Sequence, residues 1–417
     1  MPIKSKQLFW GSGTSEDAYK ISKVEDLIKL LLDINKGRIY DSKHFVLETN
    51  LNLQEDSSYN NPNDKSFGDL NNDGKTEEIK KELTTGDGLR LIGKKDLNSK
   101  KDREVIFKGV FDGNGKTISN LQIKISDDNT NQNIGLFGEN KGTILNLRII
   151  EKLEITNIEK SNLNIGLLAG KNSGIIQKCK VEGEIKLVTD KETEILVAGL
   201  AGENVGKIID SVNEVNIESN CTKAGVTAKN TKIEGTEDSG VITNCTNNGN
   251  ISEEKSYNKY TAGIVAGVTN TDNRPCTTSI TGCTNEGKVE SIAKGNHTYT
   301  AGICIIYNGS NGSTYADELI INNCVNNGEI EGDTVAGIIG NSSGNLKLSD
   351  CENNGAINGR YSAGGIAQCI ENKNSNEAEV SNCINNGNVF GGEEAAGIID
   401  YAEGITVTNC INKGNIS

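Results

Sequence analysis

Two alternating patterns of apolar and polar positions organise this chain. In the first, a short apolar strand runs into a small-residue break: Ile134-Gly135-Leu136, Ile165-Gly166-Leu167, Ala198-Gly199-Leu200, Ala224-Gly225-Val226, Ala262-Gly263-Ile264, Ala301-Gly302-Ile303, Ala336-Gly337-Ile338, Ala363-Gly364-Gly365-Ile366 and Ala396-Gly397-Ile398. In the second, apolar residues alternate with polar ones up to a head of the form Asn-Cys-x-Asn-x-Gly-x-Ile/Val. Alternation with a period of two is the mark of a strand buried on one face. Cys245, Cys283, Cys324, Cys351, Cys383 and Cys410 head the six fullest copies, with Asn247, Asn285, Asn326, Asn353, Asn385 and Asn412 two residues on. Earlier copies are eroded: Val181 replaces the Asn after Cys179, while Ser211 and Leu147 stand in the Cys position.

Each repeat is one coil. Successive Ala-Gly glycines are as close as Gly199 and Gly225, 26 residues, and as far apart as Gly263 and Gly302, 39 residues. The shortest repeat holds three strands of about five residues and three turns. Self-similarity at this irregular spacing predicts an all-β solenoid, a right-handed parallel β-helix of about nine three-stranded coils. Inward parity (Ile405 and Val407; Leu346 and Leu348) shifts by one residue at each Cys, which predicts a corner there. The glycines four residues past each Cys are expected to take positive φ at that corner.

Coils ~4.8 Å apart would pile like residues into columns. The Asn column is expected to satisfy corner backbone groups and to bond to its neighbours above and below. The Cys column is expected to fill a tight corner as a small hydrophobe. Parallel Cβ vectors at that spacing overshoot the roughly 3.5–4.5 Å of a disulfide, so reduced thiols are the expectation. Cys221, Cys276, Cys304 and Cys369 fall outside this column.

The N-terminal part reads differently. Residues 22–36 carry Leu27, Leu30, Leu31 and Ile34 at helical spacing, open on Ser22 and acidic side chains, and stop at Gly37. They predict one α-helix plugging the mouth of the solenoid, where core and strand edge would otherwise lie open. Residues 1–105 are thus expected to form a cap with this helix and first rungs at 44–53, and 106–417 the repeats, beginning at 106–125. The C-terminal coil ends without a capping element, which suggests a fragment of a longer protein or an end covered by a partner.

Composition narrows the chemistry. With 35% hydrophobic and only 4% aromatic residues against 48 glycines, the core must be stacked Ile, Val, Leu and Cys. A net charge of −14 repels phosphate backbones and anionic lipid, so nucleic acid is not an expected partner. No apolar run is long enough to span a membrane, so direct insertion is not expected. Met1, the one methionine, reads as an expression start placed after a removed leader.

The opening GSGTSEDAYKISKVEDLIKLLLDIN, the stretch FKGVFDGNGKTISNLQI at 107–123 and GLFGENKGTILNLRI at 135–149 resemble the GLUG-motif β-helix domains of bacterial cell-surface proteins. Relatives of that domain occur in immunoglobulin A-cleaving metallopeptidases. The resemblance implies the β-helix fold and a secreted or surface-exposed bacterial protein. It does not carry the peptidase chemistry over, because no HExxH is present.

Catalysis is not expected. Parallel β-helices include polysaccharide lyases and hydrolases, which need clustered carboxylates beside a basic group. Here His44 and His297 are isolated and the six arginines are scattered. Carboxylate pairs such as Glu393 and Glu394 read as solvated loop. One segment suggests a cofactor: Asp69, Asn71, Asp73 and Glu77, with Gly74, match a calcium loop, although Lys80 stands where an acid should close it. A polar, turn-rich insertion is the alternative.

Tyr260, Tyr299 and Tyr361 each stand two residues before an Ala-Gly pair, an aromatic column able to stack on sugars or to pack at an internal corner. Insertions around 228–240, 268–279, 307–318 and 370–379 should project from one side of the coil and offer a recognition surface. The expected function is a non-enzymatic secreted or surface-displayed adhesin or structural stalk whose loops meet a host or cell-surface protein or glycan. The other reading is a substrate-binding accessory domain of a larger secreted peptidase or polysaccharide-degrading enzyme.

Overall fold

The computed structural model describes residues 9–35, 37–53, 106–121, 133–156, 162–189, 194–232, 239–253, 260–270, 277–291, 298–305, 318–343, 345–372 and 378–417. They build a parallel β-helix in which every strand pairing is parallel. Its first face is a twelve-stranded sheet. Nine of these strands belong to the nine repeat coils, from Thr143–Leu145 to Ile405–Thr408. Three more, Tyr19–Ile21, His44–Leu47 and Val110–Asp112, extend the face towards the N-terminus. The first of these precedes the helix and has no counterpart in the repeat.

The second face is bent and in most coils divided. One coil shows the plan: Lys207–Ile209 on the first face, Val212–Ser219 and Thr222–Ala224 on the two halves of the second, and Thr227–Lys232 on the third. In later coils the two halves fuse into single strands, Ile330–Ala336 and Ile357–Gly364. The third face is a six-stranded and a three-stranded sheet, linked through bridges from Cys304 to Val265 and Ile339.

The helix spans Val24–Asn35, two residues later at its start than the leucine spacing suggested. Ser22 does not cap it: its hydroxyl donates to Glu48 at 2.6 Å, while its N–H donates to Asp26. At the other end Gly37, at φ 86°, donates to the Ile34 carbonyl and Arg38 to the Asp33 carbonyl, a Schellman closure. Leu27, Ile28, Leu30, Leu31 and Ile34 are buried and join the same core as the first-face residues Ile21, Phe45 and Phe111. A cluster of phenylalanines packs here, with Phe45, Phe107, Phe111 and Phe137 all fully buried. Further along, the core narrows to aliphatic and Cys side chains such as Ile280, Ile321 and Cys324.

The corner before the second face is made by a residue other than the one expected. Positive φ falls on the position just before each Cys: Asn244 (51°), Gly282 (64°), Asn323 (51°), Asp350 (53°), Asn382 (55°) and Asn409 (53°), with Asn146, Lys178 and Asp210 in the earlier coils. A left-handed residue reverses the inward parity in one step, and Asn and Asp adopt it at least cost. In the six fullest copies the glycines four past the Cys do not have positive φ, whereas Gly183, four past Cys179, has it at 123°. Those six are there for proximity: a methyl on Gly287 would stand 2.0 Å from the Gly249 carbonyl, and one on Gly387 would stand 1.9 Å from the Gly355 carbonyl.

Candidate functional site

The corner residues form a continuous hydrogen-bonded column. Asn213 donates to Asn247 Oδ1 at 2.6 Å, Asn247 to Asn285 at 2.7 Å, Asn285 to Asn326 at 2.8 Å, Asn326 to Asn353 at 2.7 Å, Asn353 to Asn385 at 2.7 Å and Asn385 to Asn412 at 2.7 Å. The second N–H of each amide goes to the backbone carbonyl two residues on, Val215 for Asn213 and a glycine for the others, as from Asn353 to Gly355 at 2.9 Å. All but Asn412 are fully buried. Beside them the thiols of Cys245, Cys283, Cys324 and Cys351 are buried, free, and bonded to carbonyls two residues back. Burial pushes the Cys179 thiol up to about 12. Of the cysteines outside this column, Cys221 and Cys304 are buried, Cys369 is half-buried, and Cys276 lies outside the described residues.

A second ladder escaped the sequence reading. Asn140 donates to Asn172 at 2.8 Å, Asn172 to Asn204 at 2.7 Å and Asn204 to Asn230 at 2.7 Å, all fully buried at the corner between third and first faces. Its signal was the recurrence of Glu139-Asn140, Lys171-Asn172, Glu203-Asn204 and Lys229-Asn230. In the next coil Val268 takes the place of Asn230, and the ladder stops.

Insertions enter the coil at two corners. One set joins the third face to the first: the chain leaves at Lys232, Asn270, Ile305 and Asn372 and returns at Ser239, Thr277, Glu318 and Ala378. The other set, which the repeat spacing did not reveal, joins the two halves of the second face, between Thr156 and Asn162, Thr189 and Glu194, Glu253 and Tyr260, and Ser291 and Thr298. The inserted residues lie outside the described residues, as do Asp69, Asn71, Asp73, Glu77 and His297.

Tyr260 and Tyr299 open the strands that follow two of these second-corner insertions. They pair in register with ring centroids 6.1 Å apart and planes at 22°. Both are half-buried, and Tyr260 packs on a small cluster of Ala224, Ala262 and Ala266, separate from the main core. Tyr361 does not continue this stack. The pairing runs Tyr299 to Thr334 to Ser362, because the doubled Gly364-Gly365 moves this coil by one position. Tyr361 instead lies under the Arg360 guanidinium, 5.1 Å from the ring centre.

One inward column carries a lysine. Lys223 occupies an inward column otherwise filled by Val197, Thr261, Thr300 and Val335. Its ammonium stands 3.4 Å from Glu253 Oε2, and both side chains are fully buried. Burial pushes Lys223 down from the usual lysine range. Among the described residues no group of three or more His, Cys, Asp or Glu could hold a metal, and no helix is long and apolar enough to cross a membrane.

Comparisons with known proteins add little to this geometry. No family model matches the chain, and no curated protein matches it. Among solved structures, a Bacteroides ovatus protein provisionally named as an immunoglobulin A1 protease is similar at a TM-score of 0.43 and 14% identity, over 99% of this chain and 87% of that one. Neither figure is high enough for that name to say anything about this chain. What stands is the architecture: a parallel β-helix closed by buried asparagine ladders.

Proposed function

We propose that this chain is a non-enzymatic, secreted or surface-displayed bacterial β-helix that serves as an adhesin or stalk. Its ligand is a host or cell-surface protein or glycan, met by the insertions. The observation that supports this reading is the division of labour within each coil. Strands and ladders repeat from coil to coil, while length varies at two corners, so a rigid scaffold carries two rows of variable segments. Variable loops on a fixed frame are where recognition usually resides. The GLUG-like segments at 107–123 and 135–149 point the same way. The half-buried Tyr260 and Tyr299, at the foot of two insertions, form the best-placed aromatic platform for a sugar.

The test is binding by the full chain to immobilised glycans and extracellular-matrix proteins, repeated after replacing 254–259 and 292–297 with short Gly-Ser links. Capture that disappears with the replacement while the unfolding temperature stays within a few degrees supports the proposal. Depolymerisation of a polysaccharide by the purified chain, or binding indifferent to every insertion, overturns it.

A further inference from the structure

The Lys223 and Glu253 pair is poorly satisfied as an ion pair. Its 3.4 Å separation is long for a charge-assisted hydrogen bond, which is usually about 2.7–2.9 Å. The ammonium's other bond, to the Cys221 carbonyl, is also 3.4 Å. Glu253 Oε2 accepts the Ser291 hydroxyl, but Oε1 has no partner among the described residues, and neither do the neighbouring Thr261 and Thr300 hydroxyls. Two charges fully removed from water with so few bonds pay a desolvation cost that such an attraction does not offset. Burial favours the uncharged amine at Lys223, the form that can act as a nucleophile.

We infer that Lys223 and Glu253 condense into an intramolecular isopeptide bond that ties two successive coils together. In the step, the Lys223 ammonium passes one proton to the Glu253 carboxylate, the neutral Nζ attacks Glu253 Cδ, and a C–N bond forms. A C–O bond then breaks, and the leaving oxygen departs as water with two protons, the one passed from the ammonium and one from the attacking nitrogen. No oxidant, reductant or activated donor is consumed. The Ser291 hydroxyl is a positioning group: it already donates to the carboxyl and continues to donate to the amide oxygen. The amide N–H keeps the Cys221 carbonyl as acceptor. A neutral amide thus replaces two buried charges at a site where both groups are held in contact, the condition under which intramolecular reactions gain most.

The position gives the bond a purpose. Lys223 lies on the strand Thr222–Ala224 and Glu253 one coil on, just before the connection that leads to Tyr260. A covalent tie there fastens one coil to the next at the root of an insertion, independently of what that insertion binds.

Intact-mass measurement of the purified full chain tests this. The expected result is a mass below the sequence mass by one water. A tryptic digest should show no cleavage after Lys223 and a branched species joining its peptide to the one containing Glu253. That mapping separates the cross-link from succinimide formation at pairs such as Asn248-Gly249, which leaves Lys223 cleavable. Lys223→Arg and Glu253→Ala should each return the full mass expected for the variant. Ser291→Ala should leave a mixture of linked and unlinked chains when analysed soon after synthesis. Since the mass of the unmodified chain is decisive even if a variant fails to fold, a folded chain at full sequence mass with free cleavage at Lys223 overturns the inference.

Discussion

Gly263 presents its bare α-carbon to the side-chain amide of Asn285, and a methyl there would stand 2.3 Å from Oδ1. The same relationship joins Gly225 to Asn247, Gly302 to Asn326, Gly337 to Asn353, Gly365 to Asn385 and Gly397 to Asn412. The two repeat signatures are therefore two halves of one packing unit: the Ala-Gly glycine makes room for the buried asparagine across the coil. Gly263→Ala should destabilise by about 1–3 kcal/mol through overpacking. In an Asn285→Ala background the same change should cost much less, since the crowded group is gone. Denaturant unfolding of the four proteins of this cycle measures the coupling.

Removing an interior rung of the ladder should cost more than removing its last. Asn353→Ala leaves an N–H of Asn326 without acceptor, and Asn385 Oδ1 and the Gly355 carbonyl without donor, all in a buried corner. At about 1–3 kcal/mol for each orphaned group, the loss should reach about 3 kcal/mol or more. Asn412, half-exposed at the end of the column, should cost only about 1 kcal/mol when replaced by Ala. Equal losses at the two sites, read from chemical denaturation, would show that the ladder does not act as drawn.

Lys178 is the one corner residue of the repeat coils without a left-handed preference, at φ 51°. Asn146 and Asn244 of the same column send their amides to Asp112 and Asp210. Lys178→Asn should stabilise the protein by about 0.5–1 kcal/mol by relieving the backbone, and thermal unfolding should show a small upward shift.

The buried thiols give the protein an alkaline limit. Burial holds Cys179 protonated up to about 12 when folded, against an ordinary thiol value of 9.0. The unfolded chain therefore loses this proton first as pH rises, and stability complete below pH 9 is lost progressively between 9.0 and about 12. Unfolding free energy measured across that range should fall, and Cys179→Ser should flatten the slope. At neutral pH the half-exposed Cys369 and Cys410 should react with iodoacetamide, whereas Cys245, Cys283, Cys324 and Cys351 should wait for unfolding.

The features legible in the sequence were those a column writes in a single residue type. Asn247 to Asn412 were visible because a buried amide ladder tolerates only asparagine, and the glycine four past each Cys because nothing larger fits. The left-handed corner column was hidden because Asn, Asp, Gly and Lys all serve there, so geometry repeats while letters do not. The Asn140 ladder was hidden by its shortness, four rungs ended by Val268. Tyr361 misled because two coils in register were compared with one carrying an extra glycine. Lys223 and Glu253 follow no motif at all. Their only trace was a lysine at an inward position, visible once Thr261 and Thr300 are seen to occupy the same column.

Vertical stacking of equivalent residues underlies all of these results, and a distance measurement tests it most directly. Arg148, Lys180, Val212, Thr246, Thr284, Val325, Glu352, Ile384 and Ile411 pair in succession along one column. Spin labels introduced through non-cysteine chemistry at 148 and 352, and at 148 and 411, should report backbone separations of about 29 and about 38 Å, six and eight steps of ~4.8 Å. Separations that fail to grow with the number of intervening coils would contradict the β-helix and everything built on it.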